Sequence, residues 1–473
     1  MNNLPENADA DLPPNKRDFT QGAVGGHLTR LTGFMMLGLV SVMGAALVEV
    51  VYIGRVGADA LAALSFAFPL VMLFQGIAMG LAVGASSVVA RTLGAGEFDK
   101  GRLLITHSLL LVMILVSLAS ALAYQHVDDY FELLGAEPHI LPLATSYIQL
   151  WMAGLPFFTI AMVGSTLMRA AGDAVTPGYL MVIGSGLQVL ITPIFVFGWF
   201  GAAAHGLQGA AIGFVIARLV SFVMYSYVMV LKDQLLVPQL AGFLASCKAI
   251  LHVGLPAMAS NMVQPLSMSV ITGLLASHGS AVVAGFGVAS RIESLAVIVI
   301  VSQSMSVAPF MGQNWGAARF ARVQEGLRLA NGLAITWGVI AYVALYFLAA
   351  PLVSSISDDP GVVEAAVAYL RIVPLAIGLL GVLMNSSSCF NALGRPLPPL
   401  LLTILQMLVI QVPLAVLGNY LWGYVGIFVA AALTVAILSV IAWFWLRAEM
   451  ASGIAKRTAT TSRVLASASQ TAV

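Results

Sequence analysis

Glu49, Arg218 and Glu293 are the charged residues that fall well inside long apolar stretches of this chain. Leu31 to Val48 carries no charge, and Glu49 follows directly in VEVVYIGRVG. An ionised side chain at the centre of a bilayer costs roughly 2.5–3.5 kcal/mol on insertion scales, so it is kept for a task or a partner. The task open to a carboxyl in a low-dielectric interior is proton exchange: protonation removes the charge and changes which polar groups it can bond. The competing reading of Glu49 is an interfacial glutamate that snorkels to water. Arg55, six positions on, is poorly spaced to pair with it on a helix. Glu293 lies two residues after Arg291 and reads as half of an outer-leaflet pair; with Gln188, Thr192 and Arg218 it is also a secondary candidate for the coupling site. Arg218 reads as the partner of a carboxylate in its own lobe, or of backbone carbonyls.

Neutral polar residues form a second tier. Gln188 and Thr192 share a helix face at i, i+4, with Pro193 expected to kink the helix. Asn261 and Gln264 are i, i+3, ahead of Pro265. With Gln303, Asn385 and Gln406 they are candidates, as a set, to line a substrate cavity, although for any single one an interhelical packing bond is the better reading. The 21 methionines and the aromatics suffice for an adaptable binding surface, with lipid-facing filler the competing role.

These residues acquire meaning from the elements around them. Of the 473 residues, 60% are apolar and 9% charged, against about 25% charged in soluble domains. The solvent for most of the surface must be lipid. Uncharged runs recur along the chain, the longest between Arg395 and Arg447. A spanning helix needs about 20 residues, so the longest runs hold two spans. The pattern predicts an all-α polytopic membrane protein of twelve helices, starting near residues 33, 61, 103, 142, 178, 206, 249, 281, 326, 364, 397 and 422. With the N-terminus in the cytoplasm, 17 of the 21 basic residues fall on the cytoplasmic side, and the loop holding Asp128, Asp129, Glu132 and Glu137 falls outside. This is the positive-inside distribution.

The chain also repeats itself. ARTLGAGEF (90–98) aligns with GQNWGAARF (312–320), and LMRAAGDAV (167–175) with CFNALGRPL (389–397), each at an offset of 222. Two six-helix halves enter the membrane in the same sense and form parallel, pseudo-symmetric lobes around a central cavity. The expected division is a polar cytoplasmic segment (1–32), an N-lobe (33–240), a C-lobe (241–446) and a disordered cytoplasmic tail (447–473).

GLAVGASSVVARTLGAGEFDKG (80–101), VAGFGVASRIES (283–294) and APFMGQNWGAAR (308–319), with LMRAAGDAVTPG and FNALGRP, resemble the signatures of the multidrug and toxic compound extrusion (MATE) transporters, in order over about residues 30–445. The resemblance implies a secondary antiporter that exports amphipathic, often cationic, compounds against protons or Na⁺ by alternating access. It places the family's functional first-helix Asp at Glu49. Two departures follow. A fifth-helix carboxylate of many relatives is Thr192 here, and a seventh-helix Glu is Gln264. Both put Na⁺ coupling in doubt and leave Glu49 nearly alone.

The expectation is therefore a proton-coupled exporter, with a Na⁺-coupled exporter of the same fold or a lipid-linked saccharide flippase as alternatives. Only Arg218 lies deep enough to hold a pyrophosphate, which argues against the flippase. No cofactor or metal site is expected beyond the H⁺ gradient, with Na⁺ possible. The seven histidines show no metal spacing and no GxxxxGK[ST] motif occurs, so neither an enzyme nor an ATP-driven pump is expected. The net charge of +1 suggests no nucleic-acid partner. The expected partners are small-molecule substrates and the lipid bilayer. The expected setting is a bacterial inner membrane, with the protein working as a monomer and both termini cytoplasmic.

Overall fold

The computed structural model describes residues 18–471; the side chains of 264–267 and of 457 onward lie outside that description. The described residues are almost wholly helical, as lipid demands of a backbone that has no water to bond. The N-lobe contains α1 (Val24–Val56), α2 (Ala58–Gly94), α3 (Phe98–Gln125), the short α4 (Val127–Leu133), α5 (Leu141–Ala170), α6 (Thr176–Phe197) and α7 (Gly206–Tyr227). The C-lobe contains α8 (Phe243–Ala276), α9 (Ser280–Gly316), α10 (Phe320–Ser354), α11 (Pro360–Ile372), α12 (Ile377–Ala392), α13 (Leu397–Ile404) and α14 (Val412–Thr471).

These make twelve membrane spans. Helices α11 and α12 form one span, broken at Pro374 by a 3-10 turn, Val373–Ala376. The 60-residue stretch from Leu397 to Lys456 is long enough for two. Its helical path is interrupted at Trp422 and Gly423, and Gly423 takes a φ of 59°, which a residue with a Cβ adopts only with strain. The sequence boundaries hold to within a turn in most spans. Helices α3, α8 and α10 start five or six residues early, and the largest departure is α1, which starts at Val24 rather than near 33. His27 and Arg30 lie in its first two turns, because polar residues at a membrane interface do not end a helix.

One expectation is corrected. The segment after 447 was expected to lack regular structure, but α14 continues to Thr471. The acidic loop holds a helix, α4, which buries Val127 and Phe131 one turn apart. Asp128 and Asp129 sit in its first turn, where the helix dipole favours negative charge.

Both described ends lie on one face of the twelve-span bundle, called here the terminal face. Large apolar side chains such as Leu47, Leu118, Phe347 and Phe444 are exposed around the perimeter, as lipid contact requires. The lobes meet through α2 against α8 and α9, and through α1 against α9. The meeting is tightest at the terminal face and follows the repeat. Gly94 and Gly316 are 222 residues apart. A Cβ on Gly94 would lie 2.0 Å from the Gln313 carbonyl oxygen, and one on Gly316 would lie 2.1 Å from that of Arg91. Ser87 donates across the interface to the Asn391 carbonyl, and Gln313 Nε2 donates to the Ala170 carbonyl at 2.7 Å.

Candidate coupling site in the N-lobe

Three N-lobe helices bring their polar residues to one point. Gln188 on α6 donates from Nε2 to Glu49 Oε2 on α1 at 2.7 Å. Arg218 on α7 donates from Nη2 to Gln188 Oε1. This order is dictated by chemistry: a carboxylate only accepts, a guanidinium only donates, so the amide must present its NH₂ to Glu49 and its oxygen to Arg218. Gln188 thus relays between opposite charges that belong to helices far apart in sequence. Its side chain is buried, 6% exposed.

The guanidinium is held from a second side by aromatics. The Arg218 Cζ lies 5.5 Å from the centroid of Phe158 and 5.2 Å from that of Phe214. Phe214 stacks on Trp151 at 5.4 Å and 20°, and Trp151 meets Phe74 at 6.3 Å. A cation over an aromatic face is stabilised by the ring quadrupole, more so when desolvated. Two polar atoms here, Thr192 Oγ1 and Arg218 Nε, are buried without a protein partner. Thr192 lies one turn beyond Gln188 on α6 and is 1% exposed.

The expected C-lobe pair is corrected. Glu293 accepts from the Tyr369 hydroxyl of α11 at 2.5 Å, not from Arg291, and the ion pairs found among the described residues do not include it. On a helix, i and i+2 point to different faces. Tyr369 is itself fixed edge-on by Phe286 and Phe428.

The expected cavity residues do not converge. Gln303 is buried and donates to the Ala330 carbonyl, tying α9 to α10. Asn385 is fully buried and donates to Asn331 Oδ1 at 3.2 Å. Both bond across helices in the C-lobe interior. Asn261 faces α2, where a Cβ on Gly76 would lie 3.6 Å from its own. Gln406 is partly buried in a π-helical turn, Leu405–Gln411, just before Pro413. The side chain of Gln264 lies outside the described residues.

The aromatic frame was missed by sequence reasoning, although a signal existed. Trp151 and Phe158 are seven apart, two turns along one face of α5, and Phe214 and Arg218 are four apart on α7. Both spacings place side chains together.

A family model, MatE, matches residues 34–194 and again 256–417, one copy per lobe and in step with the repeat. The chain belongs to the MATE family. Among MATE relatives, a Shewanella oneidensis protein named FAD transporter is 31% identical over 414 residues, covering 86% of this chain and 91% of that protein. A probable multidrug resistance protein, NorM, of Thermotoga maritima is 22% identical over 375 residues, covering 78% and 80%. The Vibrio cholerae MATE transporter VcmN in its bent form superposes with a TM-score of 0.87 at 29% identity, over 91% of this chain and 98% of that one. A MOP superfamily transporter from Pyrococcus furiosus matches the MATE fold at a TM-score of 0.86 and 24% identity, over 92% and 98%. The chain is thus a membrane transporter of the MATE multidrug efflux family, not an enzyme.

Proposed function

We propose that the chain is a proton-coupled antiporter that exports amphipathic, cationic small molecules by alternating access, from a bacterial inner membrane in which the terminal face is cytoplasmic. The observation that carries this reading is the Glu49–Gln188–Arg218 relay. The positive-inside distribution of basic residues supports the placement. In that orientation the close approach at the terminal face corresponds to a state with the cytoplasmic side shut.

The relay gives proton exchange a sign. With Glu49 ionised, the site carries one negative and one positive charge. When Glu49 takes a proton, the Arg218 charge stands alone, and Gln188 loses its ionic acceptor. The site then repels a cation. At a separation of about 6 Å and an effective dielectric of about 20, a unit charge is worth about 3 kcal/mol. A cationic cargo is released on the side where Glu49 is protonated and readmitted where it is not, which is antiport. Thr192 and Gln264 stand where many relatives carry acids, which disfavours Na⁺ as the driving ion.

The similarity to the Shewanella oneidensis FAD transporter favours a second reading, transport of a flavin dinucleotide. Its pyrophosphate is anionic. An anion would be held more tightly by the protonated relay than by the ionised one, so at this site it would move with the proton instead of against it.

Reconstituted vesicles separate the readings. With an outward-directed fluorescent cation and an imposed pH gradient, wild-type protein drives efflux with or without Na⁺, and Glu49→Gln does not. Efflux that requires Na⁺ would overturn proton coupling. Flavin dinucleotide flux in place of cation flux, running along the proton gradient, would select the second reading.

A further inference from the structure

The two lobes exchange the ends of their first helices, and we infer that this exchange is a latch: the strap of residues 18–23 ahead of α1, pinned by Arg322, holds the terminal face shut and must be released before the lobes can part there. The strap belongs to the N-lobe chain but sits in the C-lobe. Phe19 is 1% exposed and shares an apolar cluster with Val24, Leu28 and Leu31 of α1, Val307 and Phe310 of α9, Val323 of α10 and Phe390 of α12.

Its backbone is gripped by three C-lobe side chains. Arg322 donates from Nη1 to the Gly22 carbonyl at 2.8 Å, and from Nη2 to those of Phe19 and Gln21 at 2.9 and 3.1 Å. Its Nε donates to Asn314 Oδ1 at 3.0 Å, and Asn314 Nδ2 donates to the Phe19 carbonyl at 3.1 Å. Gln313 Oε1 accepts from the Phe19 amide at 3.1 Å. The rigid guanidinium fork suits three convergent carbonyls in a way a lysine does not. The His27 ring meets Phe19 edge-on at 5.4 Å and bonds the Gln21 carbonyl at 2.6 Å, which ties the strap to the first turn of α1.

The reverse exchange exists too. The head of α8 places Cys247 and Ile250 in the N-lobe core. His107 of α3 bonds Ser246 Oγ at 2.8 Å and the Gln239 carbonyl at 2.9 Å, and Thr106 Oγ1 accepts from the Val237 amide at 2.9 Å. The pin itself has no twin. The repeat mate of Arg322 is Lys100, which pairs with Glu97 of its own turn at 2.7 Å. The strap also lies ahead of residue 34, where the family match begins.

Helix α1 therefore has its terminal-face end in one lobe and Glu49 in the other. Separation of the lobes at this face must pull Phe19 from its pocket and break the Arg322 bonds. The test uses the full chain in nanodiscs, with spin labels on Lys100→Cys and Glu325→Cys, exposed positions on opposite lobes. Distances are read by double electron–electron resonance. Arg322→Gln should raise the ratio of long to short distances roughly tenfold, as expected for loss of charge-assisted bonds. Phe19→Ala should shift it in the same direction without touching an arginine. Arg319→Gln, an exposed neighbour, should leave it unchanged. Unchanged distributions in both Arg322→Gln and Phe19→Ala would overturn the latch, and so would an equal shift in Arg319→Gln.

Discussion

Gln188 and Glu49 are 139 residues apart in the chain and 2.7 Å apart in space. That bond converts an isolated intramembrane carboxylate into one end of a relay whose other end is Arg218. Replacement of the acid by its amide, Glu49→Gln, keeps the shape and removes the charge. Cationic cargo should bind more weakly, because the Arg218 charge then stands alone, and transport driven by a pH gradient should fall to that of protein-free vesicles. The dependence of wild-type efflux on external pH should flatten in the variant. Substrate binding by fluorescence and efflux from the same preparation check both halves of this prediction.

Arg218 and Glu49 should be energetically coupled. Removal of one member of a buried charged pair costs about 3–5 kcal/mol, because the other is stranded. Arg218→Met alone should therefore destabilise the fold strongly. Combined with Glu49→Gln it should cost less than the two single changes together, by about 1–3 kcal/mol. Unfolding in mixed micelles, run as a double-mutant cycle, measures the difference. Additive losses would mean that Gln188 does not join the two charges.

The Glu293–Tyr369 contact makes the opposite prediction. Its carboxylate is fixed by one phenol rather than by a cation relay. Tyr369→Phe should lower stability by about 1.5–3 kcal/mol, the worth of a hydrogen bond to a charged group, and leave proton-driven efflux in place. Loss of efflux in Tyr369→Phe, with the fold intact, would move the coupling site into the C-lobe.

Gly94 and Gly316 set how closely the lobes approach at the terminal face. Backbone oxygens lie where their side chains would be. Gly94→Ala and Gly316→Ala should each destabilise this closed state by about 1–3 kcal/mol, a 5- to 150-fold change in its population, while each lobe stays folded. Accessibility of Ser87→Cys, buried in the same interface, to a membrane-impermeant thiol reagent reads the change.

The twelve spans were legible because charge is sparse and its positions mark the loops. The lobes were legible because Gly94 and Gly316, or Gly172 and Gly394, recur at a constant offset. Glu49 stood out as a charge in an apolar run. Its partner did not. Arg55 was nearest in sequence, yet pairing across a bundle depends on which helix faces which, and periodicity within one helix does not encode that. Glu293 shows the same limit: proximity to Arg291 suggested a pair, whereas α9 turns the carboxylate towards Tyr369. Gln303 and Asn385 stayed open between cavity lining and interhelical packing, because an amide looks the same in sequence whether it meets solvent or a carbonyl. The strap at Phe19 was hidden for another reason: its polar surroundings read as a solvated leader, and its pocket is built by residues about 300 positions away.

The crossed heads of α1 and α8 have a consequence for assembly. Each six-helix half buries apolar side chains of the other, as two protomers do in a domain-swapped dimer. The connection from 233 to 242 therefore acts mainly as a tether that keeps the two halves at high effective concentration. Neither half is a complete folding unit. Cut within that connection and produced together, the halves should find each other; produced alone, each would expose the hydrophobic groove that its sibling's helix end fills.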